Sequence, residues 1–164
     1  MPNWVRNKVK FGTDKVLKDC VIEERGRREF DFNKIIPMPK ELEEEGGLEK
    51  LTLEQRLVFL KENGGCDNWY DWSIKHWGTK WNANDTIVVN DYEVVFDTAW
   101  STPDTIFRAI SAKYNTTVEV DYADESIGTN CGKISYDNGE EIDYEDKDGD
   151  EGFSAAIWGW DDED

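Results

Sequence analysis

Residues 86–123, TIVVNDYEVVFDTAWSTPDTIFRAISAKYNTTVEVDYA, decide the fold. Thr86 to Trp100 is rich in β-branched and aromatic residues and breaks at Asn90-Asp91, which predicts strand character with a turn. Ser101-Thr102-Pro103-Asp104 then opens a helix, with Pro103 at the first helical position, where its missing N–H costs nothing. Ile106, Phe107 and Ile110 form that helix's core face. From Thr117 to Ala123 the chain alternates, with Val118, Val120 and Tyr122 set against Glu119 and Asp121, which is the pattern of a half-buried strand.

The N-terminal part repeats the unit. Trp4 to Phe11 places Val5, Asn7, Val9 and Phe11 on one parity and Trp4, Arg6, Lys8 and Lys10 on the other. Thr13 caps a predicted helix carrying Val16, Leu17, Cys20 and Val21, ended by Gly26. Glu29 to Ile36 is predicted as the second strand, stopped by Pro37 and Pro39. Downstream, Gly132–Asp137 and Glu140–Glu145 read as a hairpin around Asn138-Gly139.

Between these units lies a segment of different character. Thr52 with Gln55 forms a capping box, and Leu53, Leu57, Val58 and Leu60 supply the expected apolar stripe of a helix ended by Asn63-Gly64-Gly65. Asp67 to Trp77 is predicted as another helix, with Trp69, Trp72, Ile74 and Trp77 near one face. The order is that of an α+β, ferredoxin-like βαββαβ sheet with its helices on one face. The expected division is a single domain over 1–164. Its core is 1–39 and 82–123, its helical, Trp-rich insertion 40–81, and its acidic C-terminal strands and tail 124–164.

Eight Trp, six Tyr and seven Phe supply a true core and exclude disorder of the body, though Asp161 to Asp164 are expected to be mobile. No segment reaches the length of a membrane span and the N-terminus lacks a secretory signal, so a cytoplasmic protein is expected. The three cysteines are scattered and read as free thiols.

Charge is the least ordinary property. Residues 118–164 hold seventeen acids against Lys133 and Lys147, a net −15 out of −18 for the chain. Such a field repels nucleic acid and anionic lipid and attracts a basic surface.

Motifs of known chemistry are weak. Cys20, Cys66, His76 and Cys131 lack the close pairs of structural zinc. Asp146, Asp148 and Asp150 match the first positions of a calcium loop, but Glu151 stands where glycine belongs and Ile157 where glutamate belongs. No Walker loop, GxGxxG or GxSxG occurs, so neither an enzyme nor a cofactor is expected. The block of Trp69, Trp72, Trp77, Trp81 and Trp100 is read chiefly as a cluster locking the insertion to the sheet, because base stacking normally comes with a basic groove.

Several strings coincide with a known family. They are Met1-Pro2-Asn3-Trp4 with Asn7, and Phe32-Asn33-Lys34-Ile35-Ile36-Pro37-Met38-Pro39. Trp69-Tyr70-Asp71-Trp72, Trp77 to Ala83, Phe96 to Ser101 with Pro103, Tyr122 to Glu125 and Cys131-Gly132 continue the match. Together these resemble the YubB-like family of phage and plasmid proteins with a ferredoxin-like domain, over roughly residues 1–139. The resemblance implies the fold and a mobile-element origin, and it adds no reaction. Val5 departs from it, standing where a Cys is often seen, and the acidic end exceeds the family pattern.

Charge and resemblance together give the functional expectation. It is a non-enzymatic inhibitor of a host nucleic-acid-binding defence protein, such as a CRISPR effector or restriction enzyme, that acts as an acidic nucleic-acid mimic. It would touch neither nucleic acid nor membrane directly. By alternation, Glu119 and Asp121 share one strand face and Glu141, Asp143 and Glu145 another. Asp137, Glu140 and Asp148 would extend the patch, and Trp158 and Trp160 would add an aromatic anchor. The alternative is a small-ligand or nucleic-acid-binding module built on the Trp-rich insertion.

Overall fold

A computed structural model describes residues 2–160, so Asp161 to Asp164 lie outside the described residues. In chain order the elements begin with β1 (Trp4–Phe11), α1 (Lys15–Cys20), β2 (Val21–Glu24) and β3 (Arg27–Phe30). Next come α2 (Lys40–Glu43), α3 (Leu53–Glu62), α4 (Trp69–Trp77), β4 (Asn84–Val88) and β5 (Glu93–Ala99). The chain continues through α5 (Asp104–Lys113), β6 (Val118–Asp124), β7 (Cys131–Asp137), β8 (Glu140–Asp146) and α6 (Glu151–Trp158).

Six strands form one antiparallel sheet in the order β4-β5-β1-β6-β7-β8. Because β5 and β6 both run against β1, they are parallel to each other, and α5 carries the chain between them. That is the split βαβ unit of the ferredoxin-like fold. The inward parity of β1, with Val5, Val9 and Phe11, meets Val94, Phe96, Val118, Val120 and Tyr122. Phe30, Phe32, Phe96, Phe107 and Tyr136 pack ring on ring beneath α5. The β7–β8 turn is of the hairpin type that Asn-Gly favours, with positive φ at both Asn138 (51°) and Gly139 (83°).

One polar side chain sits within this core. Asn7 is wholly buried, and its Nδ2 donates to the Val5 and Phe96 carbonyls and to Thr98 Oγ1. Its Oδ1 accepts from Thr102 Oγ1 at 2.6 Å, so every polar atom of the amide is satisfied. Asn7 thereby ties β1, β5 and the start of α5 together.

Three expectations are corrected. The second strand does not run over 29–36 in the main sheet: β3 ends at Phe30 and pairs with β2 in a separate two-stranded hairpin. Asp31 ends it by accepting from the Asn33 N–H at 3.0 Å, which winds residues 32–34 into a 3-10 turn. The capping box of α3 forms, but Leu53, Leu57 and Val58 face outward. Phe59, the largest side chain of that helix, takes the buried side and sets its rotation. Finally, the helices do not all lie on one face, because α6 packs across β6 and β1 on the opposite side.

Candidate functional site

The face of the sheet opposite the core is where the predicted acids project. Across it, Lys10 stands between Glu93 and Glu119, and Lys8 between Val95 and Asp121. Further out, Lys133 stands between Asp121 and Glu145, and Ser135 beside Asp143. A trough of about 580 Å³ runs over these residues. The expected lattice of carboxylates is therefore interleaved with lysines. Lys133 Nζ lies 3.6 Å from Asp121 Oδ2, and the basic parity of β1 flanks Glu119 and Asp121 on their other side. That basic parity was visible in the sequence, whereas the adjacency of β1 to β6 was not.

α6 closes one end of this face. Trp158 lies over the Arg6 guanidinium at 4.3 Å, and its Nε1 donates to the Ala123 and Asp124 carbonyls. Arg6 in turn makes a bidentate pair with Asp97, at 2.9 and 3.1 Å. Burial pushes the Asp97 carboxyl up by more than the Arg6 guanidinium pulls it down. Trp158 is thus an internal fastener rather than a partner anchor. Trp160 stacks on it at 5.2 Å and keeps an exposed ring.

The outer edge differs from the open face. Every residue of β8 is exposed, and five of its seven are acids. A bulge interrupts its register: Ser135 pairs with Asp143, but Tyr136 pairs with Glu141. The slipped residue inverts the alternation, because one extra residue moves all that follows to the other side. Glu141 consequently faces the helices, 3.9 Å from Arg108 Nη2. Glu140 takes the place that alternation assigned to Glu141. Asp137 of β7 and Glu140, Asp143 and Glu145 of β8 line the open-face side of the edge, with Asp143 and Glu145, successive same-side positions, about 6.6 Å apart along the strand. Glu145 lies 2.8 Å from Lys147, which holds its carboxyl below the usual range. Among the described residues, Asp137, Glu140 and Asp143 have no ion-pair partner.

Asp148 is exposed, and its Oδ1 accepts from the Cys131 N–H at 2.9 Å, which ties it to the start of β7. Asp146 accepts from the Asp148 N–H, and Asp150 caps α6 through the Phe153 N–H. The run that resembles a calcium loop is thus a turn and helix cap. Among the described residues, no three His, Cys, Asp or Glu side chains are grouped to hold a metal ion. His76 stacks on Trp72 at 4.5 Å, with Nδ1 2.9 Å from the Trp72 carbonyl.

The aromatic block divides in two. Trp72 and Trp77 are buried, and Trp77 Nε1 donates to the Ile36 carbonyl at 2.8 Å, which fastens α4 to the core. Trp69, Tyr70, Trp81 and Trp100 keep exposed rings at the junction of α4 with the sheet. Among the described residues, no helix is long and apolar enough to cross a membrane.

This geometry, a split βαβ sheet widened by an acidic hairpin and backed by α6, is that of a ferredoxin-like α+β domain. Residues 76–163 match the family described as the ferredoxin-like domain in Api92-like protein, and the chain belongs to that family. The matched family is therefore Api92-like rather than the YubB-like one that the sequence strings resemble. Among solved structures, the chain is similar to the protein api92 from Yersinia pseudotuberculosis, at 19% identity and a TM-score of 0.42. That match covers 49% of this chain and 30% of the other, so the chain spans under a third of that protein. No curated protein matches the chain.

Proposed function

We propose that this chain is a non-enzymatic inhibitor from a phage or plasmid. In this reading it acts in the host cytoplasm and lays β8 and the β7–β8 turn into the nucleic-acid-binding groove of a basic defence protein, such as a CRISPR effector or restriction enzyme. One observation carries the reading. The sheet ends on a strand exposed along its whole length, whose open-face side bears Glu140, Asp143 and Glu145, with Asp137 of β7 directly opposite Glu140. Duplex DNA carries one charge per roughly 1.7 Å of axis, so a line of fixed carboxylates competes for the same Lys and Arg. The contact is a linear edge rather than a broad face, because the face is interleaved with Lys8, Lys10 and Lys133. The mobile-element setting comes from the sequence strings that resemble YubB-like proteins and not from the matched Api92-like family.

A pull-down from host lysate tests it, with the native chain beside the triple reversal Asp137→Lys, Glu140→Lys and Asp143→Lys. The native chain is expected to recover a basic nucleic-acid-binding protein at low salt and to release it steeply as salt rises. The reversed chain is expected to recover none. Equal recovery by both chains, or no such protein, refutes the reading. A second reading, a small-ligand or nucleic-acid-binding module, is favoured only by the exposed rings of Trp69, Tyr70, Trp81 and Trp100. It predicts binding that tolerates both salt and the triple reversal.

A further inference from the structure

Lys80 follows α4, and its ammonium does not meet a carboxylate. Among the described residues it makes no ion pair, in a chain with thirty-seven acids. It lies instead over three aromatic faces, 4.4 Å from the Trp81 centroid, 4.7 Å from Trp100 and 5.7 Å from Tyr70. Trp4 backs Trp81 at 5.9 Å, and Tyr70 meets Trp100 edge-on at 6.3 Å. The ring walls remain partly open to solvent, with Trp81 37% and Trp100 43% exposed.

One wall is held there under strain. Trp100 has φ +68°, a region that a bulky residue rarely adopts. The Ser101 N–H bonds the Ala99 carbonyl across it, which is the strained form of the γ-turn. The neighbours over-determine this conformation. The Trp100 N–H donates to the Asn3 carbonyl at 2.9 Å, and Asn130 Nδ2 donates to the Trp100 carbonyl at 3.1 Å. Ser101 Oγ is fastened to the Gly78 carbonyl at 2.6 Å. Strain fixed in this way is characteristic of ligand clamps.

We infer that Tyr70, Trp81 and Trp100 form an aromatic cage for an alkylammonium group, occupied in the resting chain by Lys80. Ring faces attract a cation through their quadrupole, and cages of this kind suit an ammonium because methyl groups add contact without weakening that attraction. Lys80 acts as an internal competitor. An incoming lysine side chain or small quaternary amine binds by swinging Lys80 outward to solvent, on a flexible four-carbon stem. The inference is independent of the acidic edge and makes a separate prediction.

Three probes test it by tryptophan fluorescence titration: choline, N-acetyl-lysine methylamide and its trimethyl form. Lys80→Ala is expected to bind at least one of them about tenfold more tightly than the native chain, since it removes an occupant held by cation–π contacts. Adding Trp81→Ala to Lys80→Ala is expected to abolish that binding. Choline alone identifies a free amine as the ligand, and the lysine probes identify a partner's side chain. The native chain supplies a readout that needs no variant. The ε-methylene proton resonances of Lys80, shifted by the ring currents, should return toward ordinary lysine values as probe saturates the site. Absence of probe binding by Lys80→Ala with native circular dichroism, binding that survives Trp81→Ala, or Lys80 resonances unmoved at saturation overturns the inference.

Discussion

Replacing Asn7 by Asp changes one atom and reverses the polarity of a fully buried site. The native Nδ2 donates at 3.1 and 3.3 Å to two main-chain carbonyls and at 3.0 Å to Thr98 Oγ1. A carboxylate there offers lone pairs to those same acceptors, with no cation at hand. A protonated carboxyl still donates once, so at low pH the loss is about 2 kcal/mol, the cost of under-satisfying buried partners. At neutral pH the site must either hold a buried charge or keep its proton, so the folded-state pKa rises above the unfolded value near 3.9 by about 3 units. A raised acid pKa means that the folded state holds the proton more tightly than the unfolded state. Stability is therefore greatest at low pH and falls by about 1.4 kcal/mol per unit as pH rises from the unfolded toward the folded value. Urea denaturation of Asn7→Asp and the native chain at pH 5 and pH 7.5 reads this directly. The difference between the two chains should widen by about 2.4 kcal/mol over that interval, whereas Asn7→Ala should lose the same amount at both. A pH-independent penalty for Asn7→Asp would show that the carboxyl finds solvent or a donor, and that Asn7 is not the sealed tie described above.

Three further outcomes follow from the same coordinates. Trp100→Gly and Trp100→Ala delete the same ring, but the positive φ favours glycine, so Trp100→Gly should be the more stable by about 1 kcal/mol in urea; equal stabilities would remove the strain. Asp150→Ala removes the acceptor of the Phe153 N–H and should cost about 1 kcal/mol, with Trp158 emission shifting as α6 loosens, while Asp150→Asn should be near neutral. All three cysteines are buried, and burial pushes the Cys20 thiol up to about 11, so a disulfide reagent at pH 8 should label none in the native chain and all three in denaturant.

Local chemistry made much of the fold legible. Asn138-Gly139 demanded positive φ twice and received it, Thr52 and Gln55 closed their capping box, and Ile106, Phe107 and Ile110 turned inward together. What failed depended on backbone geometry and strand pairing that residue type alone does not encode. The bulge that turns Glu141 toward Arg108 leaves no trace in a run of alternating acids, because Glu140 and Glu141 are the same residue type and either satisfies the pattern. α6 was hidden because Glu151-Gly152 looks like a continuation of the acidic turn, and its cap appears only once Asp150 is seen to accept from Phe153. Lys8 and Lys10, which dilute the open face, lie over a hundred residues from Asp121 and Glu119, and only pairing of β1 with β6 brings them together.

The outermost strand also has a consequence for how copies of this chain behave toward one another. An unpaired strand that exposes Ile142 at 60% and Tyr144 at 49% is a template for edge-to-edge growth, and mutual repulsion between its carboxylates is what keeps neighbours apart. Acidification toward the isoelectric point near 4.3 discharges that barrier, so loss of solubility on lowering pH should begin as sheet extension along this rim rather than as general unfolding.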